Sequence, residues 1–506
     1  MRDLLDSSSS RRLMFIECML KENQWWKTEK IAAQLNCSES TVKSDMNYFR
    51  LYFSSTFKFE TSKQKGVRLN ILHEFQMDNF YQQILRECLN VQFVNLLFYD
   101  SLQTLEEYAE ELYTSVSSVK RCIELVKPVL KKYGLTIQQK PIRIQGQEKQ
   151  IIFFYGVLFW EEYGTSCLKR HSRYSKEAYT LVKAFKTENK LALSATLMNK
   201  MTLWLVLIFE RLSKANHIES NYTPLLPVSK ETEQLVSREL EKLPFKIHEE
   251  DSQFISYFLE SRYIFFTRDT IEQNQRFLQV YDDIEVFLTI LTERMSIFLG
   301  NKEMVHKRLF SHYLYKIEFQ GLSYSLVERN KITVYNQGGL YDDFLETAVD
   351  VLENFYRGEW LENVLDDPMD FLYILISTWE NLTTEILKHR NKINVLIVSQ
   401  FGLYQEKFLE ELMQLYYPYK LKSFLLANED YPDSIQLIVT DHEVTEYKFR
   451  LDNSIPVVGI NYSANEHSWD QIKMMIDQIY SHQKDFRPEK EIPTENREMK
   501  NEPGRS

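Results

Sequence analysis

Apolar residues recur at helical spacing through most of the chain and change to short alternating or continuous runs at a few places. In residues 12–22, Leu13, Ile16 and Leu20 share one helical face. After a break at 23–26, Ile31, Ala32 and Leu35 form the inner side of a second, short helix, and Ala32 is small enough for a close crossing. Asn36-Cys37-Ser38 makes a turn, with Ser38 placed as N-cap of a third helix. On that helix Val42, Met46 and Phe49 point inward, which leaves Ser40, Thr41, Lys43, Ser44, Asn47 and Arg50 outward. The period then falls to two. Phe57 and Phe59 alternate on one strand, Val67, Leu69 and Ile71 on the next, and Lys63, Lys65 and Gly66 occupy the tip, with Arg68 on the returning strand. Three short helices followed by a basic hairpin predict a winged helix-turn-helix over 1–72.

The pattern repeats. At an offset of 77, Ala32, Leu35, Ser38, Ser40, Val42 and Lys43 return as Ala109, Leu112, Ser115, Ser117, Val119 and Lys120. Lys65-Gly-Val-Arg-Leu69 returns as Lys140-Pro-Ile-Arg-Ile144. Two copies of one helix-turn-helix design, each trailed by the same kind of hairpin, predict a second module over 73–148. Its outward residues are Ser117, Ser118, Lys120 and Arg121, while its first helix carries Glu106, Glu107, Glu110 and Glu111. A polar helix face suits base edges in the major groove, and wing lysines and arginines suit phosphates. The first module therefore reads as the DNA reader. The acidic second module reads as a supporting contact, a spacer or a dimer contact.

From about 150 to 390 the spacing stays near 3.6, as in Ile151–Tyr163, Leu197–Leu212, Gln253–Phe266, Phe277–Leu299 and Phe344–Phe355. Polar stretches near Lys214–Thr223, Gln273–Gln275 and Asn330–Gly339 suggest two stacked bundles, 149–274 and 275–391. Near 392 the character changes again. Runs at Ile393–Ser399, Lys420–Ala427, Ile435–Thr440 and Pro456–Ile460 alternate with helical segments at Leu403–Tyr417 and Trp469–His482, which predicts a small parallel α/β sheet over 392–482. The charged tail, 483–506, is expected to be disordered. The expected fold is multidomain and mainly α, with a small α/β domain at its C-terminal end.

With 506 residues and 44% hydrophobic content the chain can fill several cores, and 13 glycines and 12 prolines are few enough to favour long helices. The net charge of −11 is unevenly spread: residues 1–72 carry +4, 73–148 carry −2, and the rest −13. Only the first module has the electrostatics for DNA. Five cysteines, at 18, 37, 88, 122 and 167, show no Cys-x-x-Cys, so the expectation is small buried hydrophobes in a reducing cytoplasm. No apolar run reaches the roughly 18 residues of a membrane span, and the N-terminus has charges where a signal peptide needs apolar residues. There is no His-Glu-x-x-His, no Gly-x-Ser-x-Gly and no histidine pair at i,i+4. No enzyme activity, cofactor or metal is expected.

Two winged modules followed by two helical bundles resemble the Mga/AtxA/RofA-type virulence regulators of Gram-positive bacteria. That resemblance implies a cytoplasmic, homodimeric transcription activator that binds double-stranded promoter DNA and works with RNA polymerase. It also implies that the bundles are similar to phosphotransferase-system regulation domains (PRDs), whose histidines receive phosphate from phosphocarrier proteins. The helix His306-Lys-Arg-Leu-Phe-Ser-His312 resembles a PRD helix that opens with a phosphorylatable histidine; His312 aligns best, with Tyr313 where leucine is usual. In the first bundle, Leu203–Ile218 resembles the corresponding helix, but Trp204 or a neighbour stands at the histidine position and His217 lies further along. His312, His217 and His306 are the candidate acceptors. The last domain resembles EIIB components of sugar phosphotransferase systems, whose phosphate-accepting cysteine ends the first strand. Here that place reads Ser399-Gln-Phe-Gly402 and no cysteine follows Cys167, so the implied role is a dimerisation surface. Two alternatives remain: a phosphotransferase-system phosphocarrier, and a PRD antiterminator binding RNA.

Overall fold

The computed structural model describes the chain apart from residues 22–23, 73–76, 171–172, 264–265, 322–340, 356–358, 367, 390–391, 419, 429–431, 433, 444–454, 461–465 and 484–506. The expected boundary at Asn330–Gly339 and the tail after 483 therefore lie outside the described residues. Mainly helical structure, an N-terminal pair of helix-turn-helix modules and a small C-terminal parallel sheet are all present.

The first module comprises α1 (Ser7–Lys21), α2 (Thr28–Gln34), α3 (Glu39–Tyr52), β1 (Phe57–Ser62) and β2 (Gly66–Ile71). Helix α1 begins five residues before the apolar pattern suggests. Asp6 accepts a hydrogen bond from the Ser9 amide at 2.8 Å, so Ser7–Ser10 form the first turn behind a carboxylate cap. Ser38 caps α3 as expected, accepting from the Thr41 amide at 3.1 Å. Val42, Met46 and Phe49 are buried, but Ile71 is exposed, because it ends the strand beyond the packed part of the sheet.

The second module comprises α4 (Met77–Glu87), α5 (Leu89–Phe98), α6 (Leu105–Glu111), α7 (Val116–Lys132), β3 (Thr136–Gln139) and β4 (Ile142–Gln145). The 77-residue offset holds in the backbone. Asn36 and Tyr113, the equivalent turn residues, both adopt left-handed conformations, with φ of 49° and 50°. Thr104 and Glu107 form a reciprocal capping box at the start of α6.

Helices α8 (Glu148–Tyr163), α9 (Cys167–Arg170), α10 (Ser175–Glu188), α11 (Ala195–Leu212), α12 (Lys230–Leu240), α13 (Glu249–Tyr263) and α14 (Arg268–Ile271) follow. Then come α15 (Gln275–Met295), α16 (Lys302–Glu318), α17 (Asp342–Phe355), α18 (Glu359–Asp366), α19 (Pro368–Thr378) and α20 (Leu382–His389). The chain divides into two compact units, one of 1–285 with 303–330 and 357–371, the other of 286–302, 331–356 and 372–506. In the first unit one continuous apolar core runs from Leu4 through both winged modules to Leu259 and takes in Phe319 at the end of α16. Phe319 stacks on Phe153 of α8 at 4.9 Å. At Gly156 of α8, an added Cβ would lie 2.7 Å from the Trp204 ring, so the absent side chain lets α8 and α11 approach closely.

Within that core lies an ion pair. Arg211 of α11, 3% exposed, grips Glu148 at the first turn of α8 with two bonds of 2.5 and 2.8 Å. It also reaches the Phe98 carbonyl at the end of α5 and Asp100 just beyond it, each at 3.3 Å. Cys18, Cys88, Cys122 and Cys167 are buried and Cys37 is partly so; all five are free thiols.

In the second unit, Arg294 pairs with Asp350, and the Trp379 indole N–H donates to the Phe298 carbonyl at 3.2 Å. The sheet of β5 (Ile393–Val398), β6 (Leu421–Leu425), β7 (Leu437–Thr440) and β8 (Val457–Gly459) is parallel throughout, in the order β6-β5-β7-β8. Ile393, Val395, Ile397, Leu437 and Val439 face α21 (Leu403–Tyr416) and α22 (Glu466–Gln483), while Leu396, Val398 and Ile438 pack on the other side. Burial on both faces explains why these strands read as unbroken apolar runs. No helix among the described residues is long and apolar enough to cross a membrane.

Replacing Glu148 with Ala should lower stability by about 3–5 kcal/mol, because the Arg211 guanidinium stays buried without its carboxylate. Thermal unfolding of E148A and of E148M/R211M checks this. The double variant should recover most of the loss, and equal melting temperatures for wild type and E148A would contradict the account.

Candidate nucleic-acid interface

Helix α3 is locked from within. Asp45, 1% exposed, accepts hydrogen bonds from Arg11 of α1 at 2.7 and 3.2 Å and from Arg12 at 3.1 Å. The Arg12 guanidinium lies 3.6 Å above the Tyr48 ring. These contacts fix the rotation of α3 about its axis and so decide which side chains face out. Ser40, Lys43, Ser44, Asn47 and Arg50 are exposed, and Thr41 is half-buried. Ser40 and Thr41 have their hydroxyls drawn into the cap, 2.7 and 2.8 Å from Ser38 Oγ. Arg50 donates to Asn47 Oδ1 at 3.1 Å, so these two polar groups are held together on the open face.

The wing has a third strand-like element that the hydrophobic pattern does not reveal. Trp26, in the break before α2, exchanges backbone hydrogen bonds of 2.8 Å with Val67. Lys27 then donates to the Gln64 carbonyl and ties the start of α2 to the wing tip. Lys63 and Lys65 are exposed at that tip, and Arg68 is half-buried in register with Glu60. Gly66 sits at φ +99°, where a Cβ would come within 2.1 Å of the Trp26 carbonyl oxygen. An open groove of about 900 Å³ lies between α3 and the wing, bordered by Lys27, Lys43, Asn47, Arg50 and Lys63. Glu29 and Glu39 also border it, so its lining is cationic by a margin of two charges.

The second module presents a different surface. Ser117 is exposed and Ser118 half-buried, their hydroxyls 2.7 and 3.0 Å from Ser115 Oγ. Lys120 and Arg121 are exposed on α7, but Glu106, Glu110 and Glu111 are exposed on α6 beside them. Strands β3 and β4 are four residues each and turn at Lys140-Pro141, so this wing is much shorter than the first. Tyr113, 98% exposed at the helix-turn-helix corner, was hidden in the sequence because its offset partner is the ordinary turn residue Asn36.

The three candidate histidines have different surroundings. His306 is buried, with Nε2 2.7 Å from the Tyr281 carbonyl and Nδ1 3.8 Å from Glu285. His312 has Nε2 3.7 Å from Asp370, and burial, with Lys316 and Arg262 adding, pushes its pKa down to about 3. His217 has Nδ1 2.8 Å from Asp251 and stacks on His248, a residue the spacing rules did not select.

Two helix-turn-helix corners in tandem, each with an N-capped second helix and a β-hairpin, define a winged helix-turn-helix protein. Residues 7–65 match the family described as the M protein trans-acting positive regulator (MGA) HTH domain, and residues 73–159 match the Mga helix-turn-helix domain. A putative trans-acting regulator of Streptococcus pneumoniae is 22% identical over 434 residues, spanning 82% of this chain and 86% of that protein. The capsule synthesis positive regulator AcpB of Bacillus anthracis is 26% identical over 159 residues, 31% of this chain and 33% of its own length. An anthrax toxin expression trans-acting positive regulator of the same organism is 19% identical over 150 residues, 30% of this chain and 31% of its own length. The two N-terminal modules thus match helix-turn-helix domains of Mga-type regulators.

Gly66→Ala should destabilise the wing by about 1–3 kcal/mol through its left-handed backbone alone, and by more through the clash with Trp26. Amide exchange in 57–71 is the measurement; unchanged protection in G66A would refute the role given to this glycine.

Proposed function

We propose that this chain is a transcription regulator that reads promoter DNA with its first winged module. The groove between α3 and the wing carries the reading: it joins a polar helix face, rigidly aimed by the Asp45 clamp, to a lysine-bearing hairpin. In this reading α3 enters the major groove, where Asn47 and Arg50 meet base edges, and Lys63, Lys65 and Arg68 meet phosphates. Ser40, Thr41, Lys43 and Ser44 line the approach. The second module contributes Ser117, Ser118, Lys120 and Arg121 as flanking contacts, kept weaker by the carboxylates of α6. Positive regulation, named for the Bacillus anthracis relatives, is the direction we assign, with RNA polymerase as the recruited partner.

Two refinements belong to the same reading. The bundles act as PRD-like control domains in which His312 accepts phosphate from phosphotransferase-system proteins. Its ring is neutral at physiological pH, and Lys316 and Arg262 nearby offset the charge that a phosphoryl group brings. The C-terminal domain, read as EIIB-like, serves as the dimer contact. Phe401, Tyr404, Phe408 and Leu415 form one exposed stripe along and just before α21, and a second copy of this chain would cover it. A phosphocarrier role fits less well. Where the EIIB nucleophile would stand, Ser399 Oγ donates to Asp441 at 2.7 Å and the Gln400 amide donates at 2.9 Å. Burial raises the Asp441 carboxyl, but these bonds and His442 outweigh it and hold the group below its ordinary value, so an anionic carboxylate fills the place of an incoming phosphate.

Genome-wide mapping of bound DNA followed by titration of a recovered promoter fragment tests the reading. The K43A/N47A/R50A variant should lose about 1–3 kcal/mol per base contact removed and relax sequence preference. The K63A/K65A variant should weaken binding to all sequences alike and reduce the log–log salt slope by about 2. Wild-type occupancy in the triple variant would remove α3 from the interface. For the control site, promoter output of H312A and H312D should differ from each other and from wild type as the carbon source changes. Identical output in all three would end the phosphorylation proposal.

A further inference from the structure

His217, His248 and Asp251 come together in the first unit from two separate stretches of chain, the loop after α11 and the N-terminal end of α13. One ligand-type atom from each lies within 4.8 Å of the others. The imidazole rings stack at 3.7 Å and 16°. Asp251 is fully buried, and its carboxylate is fixed by the Ile218 amide at 2.9 Å, the His248 amide at 2.8 Å and His217 Nδ1 at 2.8 Å. Both rings are only partly covered, so solvent reaches the cluster.

We propose that these three residues form a site for a divalent transition-metal ion, Zn²⁺ in the first instance. Two imidazole nitrogens and one carboxylate oxygen are the donor set that borderline-soft ions prefer, and three protein ligands leave a fourth position for water. Tetrahedral ligands at zinc distances stand about 3.3 Å apart, so the rings must turn out of their stack and close by about 1.5 Å. The Ile218 and His248 amides hold the buried carboxylate in place, while the bond from His217 Nδ1 gives way to the ion or is kept as His217 presents Nε2. The positive end of the α13 dipole opposes a cation here; Glu249 and Glu250, in the same first turn, supply two further negative charges against it. Helical i,i+4 spacing could not show this site. One ligand is 31 residues from the nearest of the others, and the remaining pair sit at i,i+3 on a helix end.

The loop that would hold the ion also touches the second winged module. Lys214, three residues before His217, donates to the Tyr99 carbonyl, and Glu219, two residues after it, caps the Glu148 amide at 2.5 Å. An ion would therefore stiffen the connection between the helical bundle and the α5–α6 corner. This is an input to the chain distinct from DNA contact, and it stands whether or not α3 reads bases.

The test uses the untagged full-length chain. Competition with a chromophoric chelator should give one equivalent of tight Zn²⁺, and Co²⁺ should give a visible absorption band of low-symmetry, four-coordinate type. H217Q and H248Q should each weaken Zn²⁺ binding more than about tenfold and abolish the Co²⁺ band, whereas H442Q should change neither. H248Q keeps the backbone bond to Asp251, so its metal-free melting temperature and circular dichroism should match wild type, which separates ligand loss from misfolding. In wild type, Zn²⁺ should also slow amide exchange across residues 214–219. No Zn²⁺ uptake by wild type, or equal affinity in wild type and a folded H248Q, would overturn the site.

Discussion

A guanidinium withdrawn from water must find its charge partner inside the protein, and Arg211 finds it where three parts of the chain meet. It is carried by α11, gripped by the carboxylate that opens α8, and bonded to the carbonyl that ends α5. The apolar residues around it belong to a core that does not stop at either winged module. The charge pair is costly to bury and yields little net stability by itself, but only one arrangement of the three helices satisfies it. Directional bonds thus set the register of helices whose apolar packing alone would tolerate several.

The same division of labour appears on a smaller scale in the first module. Apolar contact from Val42, Met46 and Phe49 holds α3 against the core, and the Arg11–Asp45–Arg12 clamp sets its rotation. The polar outer face is a consequence of both. In the second module the framework is copied, with the same left-handed turn residue and the same serine cap, while the surface charge and the wing length are not. Within one chain the framework is repeated and the surface is not.

Most of this framework was legible from the sequence, because periodicity reports burial directly and a repeat at one offset shows the same solution twice. Caps at Ser38 and Ser115, the two hairpins and the parallel strands all follow from such local signals. What escaped depends on partners distant in the chain. Asp45 has the look of a solvent-facing acid until Arg11 and Arg12, more than 30 residues away, turn it inward. Trp26 gives no strand pattern because a single bridge to Val67 needs no alternation. The end of α16 packs on α8 through Phe319 and Phe153, a contact between segments that periodicity treats separately. His248 beside His217 escaped for the same reason: two loops bring them together, and no helix spacing records it.

Because the core passes without a break from the first winged module into the bundle, the two helix-turn-helix corners are not beads on a string. A flexible linker would let each corner search independently and would tolerate any spacing between the sequences they meet. A shared core removes that freedom and replaces it with a fixed span and a fixed relative rotation. The entropy of joining two contacts is then met during folding instead of during binding, and whatever the pair engages must match the protein's own dimension. The shared core thereby makes the distance between the two corners a built-in gauge.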